Sequence, residues 1–172
     1  MEYRIRPITP ADNAPLAAII RASLREHGLA LPGTAYFDPE LDHLSTFYDA
    51  SAQRAYFVAV DNEGRVVGGC GIAEFSGTAG IAELQKLYVS PEAQRHGLAH
   101  RLITAVEDFA RDAGYRQLYL ETHHNLQAAV HLYRDLGWQE LDAPLPGSIH
   151  STMDIFMSKQ LGNTAQPSGK EA

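Results

Sequence analysis

The sequence predicts a mixed α/β (α+β) domain, and three observations carry that expectation. β-rich runs at residues 55–60 and 65–75 flank the cluster Asp61-Asn62-Glu63-Gly64, whose glycine supplies the positive φ of a tight turn, so an antiparallel hairpin lies near mid-chain. Beyond it, a helical apolar pattern closed by Gly114, a strand-like run and a second helical pattern closed by Gly137 follow in turn. Within residues 81–89 the apolar phase slips by one place between Leu84 and the pair Leu87 and Val89, the mark of a β-bulge. A chain of 172 residues suits one core. Residues 1–161 are expected to form it, and the polar, small-residue segment 162–172 to be a flexible tail.

The elements follow in order. Residues 3–8 alternate as a short strand, and Thr9-Pro10-Ala11-Asp12 combines an N-cap, a proline at the first helical position and an early acid. Leu16, Ile19, Ile20 and Leu24 then recur at helical spacing until Gly28. Residues 29–37 have no period, and Asp38-Pro39 reads as a second helix start carrying Leu41, Leu44, Phe47 and Tyr48. After the hairpin and the bulged strand, Leu98, Leu102, Ile103, Val106, Phe109, Ala110 and Ala113 mark one face of a long helix entered through residues 91–97. Residues 117–122 form a strand, and Asn125 is a candidate cap for a helix bearing Ala128, Ala129, Leu132, Tyr133 and Leu136. Strands at residues 138–141 and 152–158 complete the fold.

Composition narrows the function. Fourteen basic against 21 acidic side chains give a net charge of −7, which opposes attraction to nucleic acid or to an anionic membrane surface. There is no long apolar run and no secretory leader in the opening residues, so a cytoplasmic location is expected. The single cysteine, Cys70, excludes an internal disulfide and reads as a small core residue. His96, His100, His123, His124, His131 and His150 show no metal-ligand spacing, and no metal is expected.

The most informative stretch is Leu87-Tyr88-Val89-Ser90-Pro91-Glu92-Ala93-Gln94-Arg95-His96-Gly97-Leu98-Ala99-His100. A strand breaks at proline and re-enters a helix through Gly97. Free N–H groups at a helix N-terminus, added to the helix dipole, bind a pyrophosphate without a dedicated lysine. From spacing alone, an ordinary strand-to-helix connection explains one glycine equally well. Gln94-x-x-Gly97-x-Ala99 with the strand before it resembles the coenzyme A signature of the GNAT acyltransferase superfamily. The second half, Leu118-Tyr119-Leu120-Glu121-Thr122 followed by Asn125-x-x-Ala128-x-x-x-Leu132-Tyr133-x-x-x-Gly137-Trp138, is similar to that family as well, so the resemblance spans roughly residues 3–160. Arg95 stands where the family often has glycine, and Trp138 where phenylalanine is common.

This resemblance implies a mixed, mostly antiparallel central β-sheet with a splayed, bulged middle strand and helices on both faces. It implies an N-acyltransferase with acetyl-CoA as cosubstrate, attacked directly by an amine in a ternary complex. Leu87, Tyr88 and Val89 would meet the pantetheine arm, and the Val89 N–H would face the thioester oxygen. The amides from Gln94 through Arg95, His96, Gly97, Leu98, Ala99 and His100 would hold the pyrophosphate, with Asn125 and Ala128 as further contacts. Tyr133 is the implied acid for the departing thiolate, against the plainer reading of a core aromatic. Glu83 is the candidate base and Glu121 its deputy, against the plainer reading of exposed strand carboxylates.

Acceptor choice would fall to residues 28–48 and 142–151, where Tyr36, Phe37, Asp38, Glu40 and Asp42 offer an aromatic and acidic wall or merely cap and solvate a helix, and where His150 is a candidate substrate-side group. The acceptor is a small-molecule or protein amine, and a homodimer is left open. A non-catalytic acyl-CoA-binding module is the competing reading. A nucleotide-binding fold is disfavoured, because Ile8 is followed by Thr9-Pro10 and not by a glycine-rich turn.

Overall fold

Pro7 closes the first strand and Pro10 opens a helical turn three residues later, so the chain passes at once from sheet to helix. A computed structural model describes residues 2–76, 78–149 and 152–162. Strand β1 (Arg4–Pro7) runs into a 3₁₀ turn at Pro10–Asp12 and helix α1 (Asn13–Glu26). The buried Asp12 carboxylate joins the two: it accepts from the Thr9 N–H at 2.7 Å and from both Arg6 guanidinium nitrogens at 2.7 and 2.9 Å. Burial raises its pKa, but the bonds from Arg6 and Thr9 outweigh it and hold the carboxyl below its ordinary value.

The expected second helix is shorter than its apolar spacing suggests. A 3₁₀ turn at Leu41–His43 precedes α2 (Leu44–Asp49), and the backbone of His43, at φ −137° and ψ 38°, separates them. Asp38 does not cap a helix, because its carboxylate is taken by Lys86. The segment without a period, residues 29–37, contains a 3₁₀ turn at Ala35–Phe37 whose cap is Thr34.

The remaining elements are β2 (Ala55–Val60), β3 (Val66–Glu74), β4 (Ile81–Val89), α3 (Leu98–Asp112), β5 (Gln117–Thr122), α4 (Gln127–Asp135), β6 (Gln139–Leu141) and β7 (Ile155–Gln160). They build a seven-stranded sheet in the order β1-β2-β3-β4-β5-β7-β6, antiparallel except where β4 meets β5. Period-2 alternation splits the buried residues between two faces. Tyr56, Val58 and Val60 of β2 pack with α1 and α2, while Ala59, Cys70 and Ile72 pack with α3. On α3, Leu98, Leu102, Ile103 and Val106 are buried, each contributing about 2 kcal/mol relative to exposure.

Asn125 does not cap α4. The cap position is Leu126, and the Asn125 amide instead donates to the His27 carbonyl at 2.9 Å, tying the end of α1 to the start of α4. Among the described residues no helix is long and apolar enough to cross a membrane. Of the expected tail only Gly162 is described, and the His150 expectation falls outside the described residues.

Strand β3 carries Gly69 and Gly71 where tyrosines of the α1–α2 face need their space, and Gly68 where the backbone of β4 approaches, a Cβ there lying 2.6 Å from the Tyr88 carbonyl. A Cβ on Gly71 would lie 2.6 Å from the Tyr48 hydroxyl, and one on Gly69 would lie 2.4 Å from the Tyr56 ring. Both rings are buried and packed, 5.1 Å apart. Gly71→Ala is therefore expected to destabilise the fold by about 2 kcal/mol through overpacking, read as a lower denaturant midpoint with an unchanged slope.

Candidate active site

The site begins at an irregularity in the β3–β4 ladder. Gly69 pairs with Tyr88 and Gly71 with Gln85, so Cys70 alone opposes Lys86 and Leu87. This two-against-one count is the bulge that the slipped apolar phase predicts. Lys86 takes the left-handed conformation there, φ 52°, which costs a non-glycine residue about 1 kcal/mol. Two hydroxyls hold the irregular backbone. Tyr56 donates to the Lys86 carbonyl at 2.8 Å, and Tyr48 donates to the Gln85 side-chain oxygen at 2.7 Å. The Lys86 ammonium reaches Asp38 at 2.7 Å and Glu40 at 3.6 Å, so the bulge is also tied to the loop before α2.

Just before the bulge, β4 leaves β5. Their parallel pairing runs only from Ile81↔Gln117 to Glu83↔Tyr119, after which the strands part. The opening is lined by Glu83, Lys86, Leu87 and Tyr88 on one side and by Glu121, Thr122 and Tyr133 on the other. Three of the expected chemical groups, Glu83, Glu121 and Tyr133, are thus brought to one gap. Glu83 accepts from the Gln85 amide at 3.0 Å, and Glu121 accepts from the Tyr119 hydroxyl at 2.8 Å and from Ser148. Tyr133 is buried against Trp138 at a ring separation of 5.8 Å. Burial, followed by Cys70 and Tyr88, raises its pKa well above the ordinary 10, so the phenol stays protonated at any working pH.

Beside the gap lies a groove of about 560 Å³, within the range of ligand sites. Leu87, Tyr88, Val89, Gln94, Arg95, Gly97, Leu98, Ala99, His100 and Ala128 wall it, as the sequence pattern leads one to expect. Gly97 sits before α3 at φ 71° with no side-chain cap on the helix, and a Cβ there would meet nothing within 4 Å. The first amides of α3 therefore face open space without intrahelical acceptors. Arg95 also adopts a positive φ, 64°, so the arginine takes the backbone shape that glycine takes more cheaply.

Backbone pairing settles the direction of Val89. The Ser90 N–H bonds to the Val67 carbonyl at 2.8 Å, which makes the next pair, Gly68 with Val89, a non-hydrogen-bonded one. The Val89 N–H and carbonyl point away from β3 toward the groove, and the Gln94 amide donates to that carbonyl at 3.0 Å.

The His96 ring packs edge-on against Tyr3 at 5.5 Å, which concerns its side chain and not the backbone N–H the pattern assigns, and the Asn125 side-chain amide donates to the His27 carbonyl. Cys70 is fully buried and its thiol pKa is pushed up by desolvation, which removes it as a nucleophile. Sequence spacing missed Gln85, Lys86 and Tyr48; the slip of phase marked their place without marking their roles. It also missed a cluster of His123, His124 and Asp154, whose ligand-type atoms lie within 4.8 Å of one another. There the Asn125 N–H donates to the His123 Nδ1 at 3.1 Å, which leaves the proton of a neutral ring on the Nε2 that faces Asp154. His124 hydrogen-bonds the Asp154 carboxylate, and the His123 Nε2 lies 3.9 Å from it.

Comparison with known proteins agrees with this geometry. The sequence profile of the acetyltransferase (GNAT) family matches residues 21–138. YjgM, an uncharacterized N-acetyltransferase of Escherichia coli, is 38% identical over 159 residues, covering 91% of this chain and 94% of its own. An acetyltransferase of the GNAT family from Staphylococcus aureus superposes with a TM-score of 0.81 at 19% identity, over 94% of this chain and 100% of its own. A GNAT superfamily phosphinothricin acetyltransferase from Sinorhizobium meliloti, solved in complex with acetyl-CoA, superposes with a TM-score of 0.72 at 23% identity, over 97% and 93% of the two chains.

The Lys86 side chain is only 5% exposed and its partner Asp38 16% exposed. Lys86→Met removes the buried ammonium from beside a partly buried carboxylate and is expected to destabilise the protein by about 2 kcal/mol, measured by urea denaturation at neutral pH.

Proposed function

This chain belongs to the GNAT acetyltransferase family, and we propose that it acetylates an amine by direct attack inside the gap between β4 and β5. The observation that carries this reading is the adjacency of the two spaces: the groove at the start of α3 and the gap that holds Glu83, Glu121 and Tyr133 share Leu87, Tyr88, Leu126 and Ala129 in their walls. The bare amides at Gly97 fit a pyrophosphate, and the outward edge of Val89 fits a pantetheine amide. Gln94, Arg95, Leu98, Ala99 and His100 complete the cradle, with Ala128 on the opposite wall. His96 contributes at most its backbone, and Asn125 borders the entrance by joining α1 to α4.

Acetyl-CoA supplies an activated acyl group, and the protein supplies position and proton traffic. Glu83, at the last paired residue of β4, takes the proton of the acceptor ammonium through water, and Glu121 faces the same gap from β5. The Val89 N–H donates to the carbonyl oxygen as negative charge develops on it. The C–N bond forms as the C–S bond breaks, the Tyr133 hydroxyl faces the departing thiolate, and the proton that the nitrogen sheds on becoming an amide ends on that sulfur as the free coenzyme A thiol. The raised pKa of Tyr133 keeps the phenol protonated, so it stands ready as a hydrogen-bond donor to that sulfur. A binding-only module would have no use for this constellation, and the family is one of acetyltransferases. The acceptor is an amine met by residues 28–48 and 142–149. Leu31, Phe37 and Ile149 lie exposed in these two segments.

Thiol release from acetyl-CoA with a panel of amines tests the assignment, and absence of release with every amine would end it. Tyr133→Phe is expected to lower kcat by about 100-fold while the Kd for coenzyme A stays within about twofold. Gly97→Glu places bulk and negative charge at the cradle and is expected to abolish coenzyme A binding in calorimetry while the protein remains folded.

A further inference from the structure

We propose that Gln85 is a positioning residue for the reaction, its amide clamped by Tyr48 so that it orients and keeps ionised the Glu83 carboxylate at the point where β4 leaves β5. The proposal rests on the reading of Glu83 as the acceptor-side base. Its starting point is a chain of two hydrogen bonds. The Tyr48 hydroxyl donates to Gln85 Oε1 at 2.7 Å, and Gln85 Nε2 donates to Glu83 Oε1 at 3.0 Å.

The orientation of the Gln85 amide is decided by its neighbours. Turned over, it would aim its oxygen at the Glu83 oxygen, acceptor against acceptor, and only the observed orientation gives both contacts a proton. Tyr48 is fully buried, and its ring sits in the space that Gly71 leaves open, so its hydroxyl has little freedom to move. The glycine of β3, the tyrosine of α2 and the glutamine of β4 thus form a rigid path from the core to the carboxylate. Residues 83 and 85 share one face of β4 before the bulge at Lys86, which keeps their side chains adjacent.

Among the described residues, charged and titratable groups around Glu83 come from four elements. Lys86 lies on its own strand, Tyr48 on α2, Tyr119 and Glu121 on β5, and Asp38 and Glu40 in the loop before α2. Most are acids or phenols, which disfavour a second negative charge. An N–H donor aimed at the carboxylate opposes them, because a hydrogen bond to the charged form favours that form. Removing the donor should therefore raise the pKa of the base and move the acid limb of the rate profile to higher pH.

The test is kcat against pH at saturating acetyl-CoA and one fixed acceptor, so that the acceptor's own titration is common to all variants. Gln85→Met keeps length and loses the N–H. The expected result is an acid limb displaced upward by roughly half to one pH unit, with turnover below the limb reduced about three- to tenfold, and coenzyme A affinity unchanged. Tyr48→Phe removes one oxygen from the core, frees the amide to turn, and should displace the limb in the same direction by less; the double variant should go no further than Gln85→Met alone. An unmoved limb in Gln85→Met or, if that variant does not fold, in Tyr48→Phe, while Glu83→Gln has lost turnover, overturns the role of Gln85 and leaves Glu83 as the base. Full turnover in Glu83→Gln removes the base reading itself and the positioning role with it.

Discussion

Everything chemical in this protein depends on two neighbouring strands that stop pairing. β4 and β5 share only three paired positions, from Ile81 to Glu83, before they separate. Unpaired strand edges inside a fold carry amides and carbonyls that need partners, so such a separation is costly unless a ligand or side chains satisfy the exposed groups. Here the Gln94 side chain takes the Val89 carbonyl, and the opening turns the remaining edge toward the groove. The sheet thereby offers a row of backbone groups as a binding surface without loss of its own order.

The separation is enforced from the opposite face of the sheet. Two glycines in β3, Gly69 and Gly71, admit the rings of Tyr56 and Tyr48, and the hydroxyls of these rings bond to Lys86 and Gln85. The buried pair of Lys86 with Asp38 fastens the same bulge to the loop before α2. A polar network of this kind adds modestly to net stability, since desolvation offsets most of the attraction, but each member fixes the place of the next. The α1–α2 face is therefore coupled to the gap through particular bonds. Tyr48, Asp38 and Glu40 of the segment 28–48 are the groups that make these bonds to the bulged strand.

Legibility in the sequence followed the range of the interactions. The hairpin, the bulge and α3 were readable because turn glycines, parity and helical spacing act within a few residues. Lengths failed where a distant partner intervened: Asp38 looked like a helix cap until Lys86 claimed it, and Asn125 looked like a cap until its amide reached His27, 98 residues away in the chain. The cradle at Gly97 was readable as a motif, and the left-handed backbone of Arg95 shows that the loop keeps its shape with a costlier residue. The cluster of His123 and His124 with Asp154 had no signal at all, because its members are joined only when β7 folds beside β5.

The sequence alone determined which family pattern the chain follows, where its strands and helices fall, and that a phase slip interrupts the fourth strand, since each of these is set by local stereochemistry and by the period of apolar residues. Only the tertiary structure decided that Glu83, Glu121 and Tyr133 share one gap, that the Val89 edge faces the groove, and that a tyrosine from α2 reaches Gln85. Those relations join residues far apart in the chain, and they exist only after packing has brought separate elements within hydrogen-bond distance.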